Sequence, residues 1–219
     1  MYEKAIELDL RYSDAYALLG YVQFLDMTSQ WSRDPHGFHR AIQLEQKSIA
    51  LDNSNATAFA LLSMCYSVTR RYDSAVSAAE RAIALEPNLA FAYSALAFAL
   101  DYSKPAEAVV AAQKAMRLDP LMGDLYAFPK GVAYALMGQY DQAIPALKTY
   151  LAYQNSIPAR LYLIVCYVEL GRDEEARAEA AEVMRISPQF SLAAQKQMSA
   201  FKAPLRDRLI ADLGKSGLK

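Results

Sequence analysis

Residues 74–87 read SAVSAAERAIALEP, and the same phrase returns along the chain. It recurs as RAIQLEQKSIALD at 40–52, EAVVAAQKAMRLDP at 107–120, QAIPALKTYLAYQ at 142–154 and EARAEAAEVMRISP at 175–188. The alanines that anchor these phrases, Ala41, Ala75, Ala108, Ala143 and Ala176, are spaced by 34, 33, 35 and 33 residues. Ahead of each lies a second apolar run with helical spacing, such as AFALLSMCYSVTRRYD at 58–73 and ARLYLIVCYVELGRDE at 159–174. A period of about 34 made of two short helices marks a solenoid, because one hairpin cannot bury its apolar face alone and must stack on neighbours. An ordinary alanine-rich bundle has no reason to hold that period through five units.

Composition agrees and excludes several functions. The 219 residues are 54% hydrophobic, with a net charge of −1 and both signs interspersed, so no field exists to steer nucleic acid or an anionic membrane. The N-terminus lacks the basic stretch and apolar core of a secretory leader. The longest apolar run, Leu89 to Leu100, is 12 residues, too short to span a bilayer. The expectation is a cytoplasmic protein with no nucleic-acid or membrane partner. Glycine-rich phosphate loops, His-Glu-x-x-His and Gly-x-Ser-x-Gly are all missing, so no catalytic residue and no cofactor is expected. His36 and His39 have only Asp34 nearby, too few groups for a metal site. Cys65 and Cys166 stand at matching places three repeats apart, about 30 Å at one helix diameter per layer, beyond disulfide reach. Both read as buried thiols of a reducing compartment.

The repeat resembles the tetratricopeptide repeat. Residues 56–89 form a full copy, in which Phe59, Leu62, Tyr66, Tyr72, Ala75, Ala79, Ala82 and Pro87 match the family's alternation of large and small positions. The resemblance implies an all-α fold, a right-handed superhelical solenoid of about five helix pairs with a C-terminal helical cap. Each pair comprises a helix A and a helix B. The division it implies is a half repeat (helix B alone) at 1–10, then repeat 1 at 13–53 with an insertion at 26–40. Repeats 2 to 5 follow at 54–87, 88–120, 121–155 and 156–188, and capping helices at 189–219 close the array. Ala75, Ala82, Ala108 and Ala115 are expected where the two helices meet, with room for a methyl group only. Pro87, Pro120 and Pro188 end the B helices of repeats 2, 3 and 5. Gly138 and Gly171 suit a left-handed turn between helices, and Asp73 and Asp141 suit a helix start. Pro145 is expected to bend helix B of repeat 4, with Pro129 tolerated near a first turn. The opening MYEKAIELDL reads as the end of an earlier helix B, so the chain is expected to be part of a longer polypeptide.

The insertion around WSRDP and the closing LRDRLIADLGKSGLK make the layout similar to the C-terminal repeat regions of bacterial class III adenylate/guanylate cyclases and related regulators. In the repeat family helix A lines the concave face. That assigns Tyr21 and Phe24 in repeat 1, Met64 in repeat 2, and Phe91, Phe98 and Tyr102 in repeat 3. Repeat 4 supplies Leu125, Phe128 and Val132, and repeat 5 Leu161 and Val165. These are apolar and aromatic. The lysines and arginines with which other members clamp a C-terminal carboxylate are missing. The implied partner is a protein or peptide with an apolar segment, bound by a scaffold that serves an upstream effector. Homo-oligomerisation is the alternative. Two further readings stay open for these side chains, that they are core or that the C-terminal cap covers them.

Overall fold

The computed structural model describes residues 1–29, 31–32, 34, 36–198 and 205–219. Thirteen α-helices and one short 3-10 turn make up the described residues, with no strand among them. A short helix α1 (Tyr2–Leu8) precedes five hairpins. These are α2 (Ser13–Thr28) with α3 (Gly37–Leu51), α4 (Ala56–Val68) with α5 (Tyr72–Leu85), and α6 (Ala90–Leu100) with α7 (Pro105–Leu118). The last two are α8 (Ala127–Leu136) with α9 (Tyr140–Leu151), and α10 (Ile157–Glu169) with α11 (Asp173–Ile186). Helices α12 (Leu192–Met198) and α13 (Leu205–Lys215) close the chain.

Stacking rests on the small residues. Ala41, Ala75, Ala108, Ala143 and Ala176 are all buried, as are Ala79, Ala82, Ala112 and Ala115. A methyl group at each site lets paired backbones approach, and a larger side chain there would overpack the contact. Two glycines carry the principle further. A Cβ on Gly131 would lie 2.7 Å from Leu147 Cγ, and one on Gly20 would lie 2.4 Å from Glu45 Oε1. The first helix of each hairpin packs on both helices of the preceding one, whereas the second helices have no comparable contact with each other. The first helices therefore lie on the inside of the curve.

Turns and caps follow local chemistry, with two corrections. Gly138 and Gly171 adopt φ of +73° and +69°, and Arg70 takes the same left-handed conformation at +63°. Asp73 and Asp141 do not cap, because Arg71 and Gln139 occupy the N-cap positions of α5 and α9 without side-chain bonds. The two carboxylates are the second residue of each helix, two past the N-cap, where only the helix dipole acts on them. Side-chain caps occur instead at Asn55, whose Oδ1 accepts from Ala58 N at 3.0 Å, and at Ser156 on Ala159 N at 3.4 Å. Asn55 also ties three helices together, since its amide donates to Ser13 Oγ at 2.9 Å and Asp14 Oδ1 at 2.7 Å, and Ser13 meets Ser48 Oγ at 2.9 Å.

In the fourth hairpin the first helix starts late. Residues Gly123–Tyr126 form the 3-10 turn, so Leu125 lies ahead of α8, and Pro129 falls in the first turn of α8, where its missing N–H is tolerated. Pro145 lies inside α9, which continues through it to Leu151. Between α2 and α3, the amides of Trp31 and Ser32 donate to Asp26 O at 2.9 and 3.2 Å, and Arg40 pairs with Asp34. Gln30, Arg33 and Pro35 of the 26–40 insertion lie outside the described residues, as do 199–204 of the 189–219 cap.

Candidate functional site

The inner face of the stack is aromatic because α2 places Tyr21 and Phe24 on it, α6 Phe98, α8 Phe128 and α10 Tyr162, whereas α4 supplies Met64 and Val68. Phe38, Phe24 and Tyr21 form one run of rings, with centroid separations of 6.3 and 6.4 Å. A second run passes from Tyr72 through Tyr102, Phe98 and Phe128 to Tyr150 and Tyr162, with successive separations of 5.2–6.3 Å. Between the two runs lies a cavity of about 250 Å³. Repeat 1, repeat 5 and the C-terminal cap all reach it, so the curve is tight enough for its two ends to face each other. Gln189 Nε2 donates to Trp31 O at 3.5 Å, joining the 26–40 segment to the turn that follows α11.

Of the groove residues expected from sequence, Tyr21, Phe24, Met64, Phe98, Tyr102, Phe128, Leu161 and Val165 line this cavity. Phe91, Leu125 and Val132 do not. Phe91 packs edge-on to Tyr21 at 6.5 Å and belongs to an alanine cluster with Ala60 and Ala92. Leu125 is held away by the 3-10 turn, and Val132 is fully buried. Even among the eight that line the space, Phe24, Phe98, Leu161 and Val165 are mostly buried. Helix α13 is one reason, since it presents Leu209, Ile210 and Leu213 to the cavity. It is anchored by Arg208, which pairs with Glu169 at 2.8 Å and donates to Tyr140 Oη at 2.9 Å. The backbone closes the cap, with Leu192 N bonded to Lys219 O at 2.8 Å.

Burial sets the electrostatics. Tyr102 and Tyr162 share a hydrogen bond, and burial raises both phenols well above their ordinary value. Desolvation also pushes the Tyr150 phenol up to about 12, and a nearby Tyr21 adds to it. Behind the tyrosine pair, the Asp101 carboxyl is wholly buried with neither oxygen hydrogen-bonded, which raises its pKa well above the usual range. Desolvation lifts the Cys65 thiol strongly and the Cys166 thiol to about 12, so neither is an activated nucleophile. His36 and His39 sit at the start of α3, and no cluster of three His, Cys, Asp or Glu suited to a metal occurs among the described residues. The arrangement is suited to holding an apolar group.

Models of the tetratricopeptide repeat match residues 134–197 and 56–89. Those stretches are tetratricopeptide repeats. The structure is similar to a thermophilic tetratricopeptide repeat protein of Thermus thermophilus, at 20% identity and a TM-score of 0.66, over 85% of this chain and 96% of that one. It is also similar to PilW, a widely conserved type IV pilus biogenesis factor, at 18% identity and a TM-score of 0.62, over 94% and 89% of the two chains. A third likeness is to the Cut9–Hcn1 hetero-tetramer of the APC/C, at 17% identity and a TM-score of 0.67, over 92% of this chain and 38% of that one. At these identities the likeness is one of fold. No curated protein matches the sequence significantly.

Reasoning from the tetratricopeptide repeat pattern alone misses the cavity residues outside the first helices. Trp31 and Phe38 come from the 26–40 segment and the start of α3, Tyr150 from the last turn of α9, and Leu209, Ile210 and Leu213 from α13. The spacing of the last three, at i, i+1 and i+4, does mark an amphipathic helix in the sequence. Glu45 is a second omission. It stands where the later phrases carry Ala79, Ala112, Leu147 and Ala180, so a wholly buried carboxyl replaces an apolar side chain.

Proposed function

We propose that the protein is a non-catalytic interaction scaffold whose inner face accepts an apolar helix or peptide. It recruits for, or regulates, an effector domain in the cytoplasm, as the similarity to the repeat regions of bacterial class III cyclases implies. The observation that carries the reading is the seat of α13, whose apolar edge, Leu209, Ile210 and Leu213, lines the aromatic inner face while Arg206 pairs with Asp207 and Arg208 with Glu169. An amphipathic helix therefore fits this surface by shape and chemistry, and a partner helix of the same pattern fits when α13 is displaced.

A labelled peptide of residues 205–219 tests this. The full chain carrying Leu213→Asp, which loosens α13, binds the peptide in trans. The unaltered chain binds it more weakly, because its own α13 competes at high effective concentration. Absence of binding by the variant, with its helical circular dichroism retained, defeats the reading.

Self-association is the second reading. Leu8 and Leu10 at the α1 end are 78% and 68% exposed, an apolar end face suited to pairing with another chain. Light scattering that shows a concentration-dependent dimer, lost in Leu8→Asp, supports it, and a monomer at every concentration removes it.

A further inference from the structure

The cavity under α13 has a chemistry that the docking of a helix does not use. Its wall is mostly apolar, with nine aromatic rings from Tyr21, Phe24, Trp31, Phe38 and the run Phe98 to Tyr162. At about 250 Å³ it exceeds the engineered cavity of about 150 Å³ that holds benzene, and it is far too small for a helix. Its polar lining is confined to hydroxyls and amides such as Gln154, Asn155 and Gln195, together with one ionised side chain, Arg206. No Asp, Glu, Lys or His is part of the lining among the described residues.

The Arg206 side chain is only 24% exposed, and it shares Asp207 with Lys196, at 3.2 and 3.0 Å. Two cations on one carboxylate leave a net positive charge at the rim. Aromatic walls by themselves favour a cation over their faces. A desolvated cation, however, needs an opposite charge beside it, and the one ionised wall group among the described residues, Arg206, repels it. The charge therefore selects an anion, while the rings and aliphatic residues select an apolar body.

We infer that the cavity is a binding site for a small apolar monocarboxylate, its body among the rings and its carboxylate at Arg206. The site exists with α13 seated, so it goes beyond the helix-accepting role and does not depend on it. Ligand in the cavity adds contacts to Leu209, Ile210 and Leu213 and holds α13 in place.

Trp31 lines the cavity and is the one tryptophan of the chain, so its fluorescence reports occupancy. Decanoate, decylamine and 1-decanol are titrated into the full chain below their micellar concentrations, with calorimetry in parallel. Decanoate is expected to bind one to one and at least tenfold more tightly than decylamine. In Arg206→Gln the decanoate affinity falls about tenfold while that of decanol is unchanged. Ile210→Trp, which fills the cavity from α13, abolishes binding of all three, read by calorimetry, with helical circular dichroism retained. Equal binding of amine and acid, no binding of decanoate at millimolar concentration, or indifference to Arg206→Gln overturns the proposal. None of these results touches the peptide experiment, which is made on the chain with α13 loosened.

Discussion

Glutamine in place of Glu45 isolates the cost of one buried, unpartnered carboxyl. The Glu45 side chain is 0% exposed, and neither carboxylate oxygen has a hydrogen-bond partner. Desolvation pushes its pKa up to about 9 from an ordinary 4.5, so the folded protein holds this carboxyl neutral through physiological pH. Below the unfolded value both states carry the proton and the group costs nothing by ionisation. Between that value and the folded one, the unfolded chain has released a proton that the folded chain keeps. Stability then falls by about 1.4 kcal/mol for each pH unit. Above the folded value both states are ionised and the loss levels off.

From pH 5 to pH 8 the accumulated loss is about 4 kcal/mol, an upper figure because local relaxation softens the burial cost. Glu45→Gln keeps the shape, including the close fit over Gly20, and carries no titrating proton. Urea unfolding of both proteins at pH 5, 6.5 and 8 measures the difference directly. Asp101 titrates alike in both proteins and cancels. The variant is expected to gain steadily on the native chain as pH rises, by about 2–4 kcal/mol at pH 8 relative to pH 5. A difference that stays constant across this range refutes the burial of a neutral carboxyl at Glu45.

Three further outcomes follow from the packing. Gly131→Ala places a methyl within 3 Å of Leu147 and costs about 1–3 kcal/mol in urea unfolding, whereas Gly171→Ala, with open space but a φ of +69°, costs about 1 kcal/mol through backbone strain alone. Asn55→Ala removes a helix cap and the bonds to Ser13 and Asp14, lowering stability by about 1–3 kcal/mol in the same assay. Cys65 and Cys166 are buried with raised pKa values, so a thiol reagent at pH 8 labels neither until urea unfolds the chain; fast labelling of the native protein would contradict their burial.

The period of the alanine phrases by itself determined the number of hairpins, their two-helix form and the faces on which they stack. That information is local, since a helix repeats every 3.6 residues and the small side chains announce the contact with the next helix in sequence. Helix starts were less legible. Asp73 and Asp141 lie two residues past the true cap positions, and residue type alone does not fix where a helix begins.

The cavity was legible only in part. Eight of its residues follow from the first-helix pattern, because each belongs to a face already set by its own helix. Trp31, Phe38, Tyr150 and the α13 residues enter only through the curvature, which brings the two ends of the chain together. Curvature sums small rotations at every helix contact, and no single phrase encodes that sum. Glu45 differs from both. The phrase alignment shows a carboxyl in an apolar column, but its burial and lack of a partner are properties of the packed neighbours alone. Local periodicity therefore decided the hairpins, and the accumulated geometry of their stacking decided what they enclose.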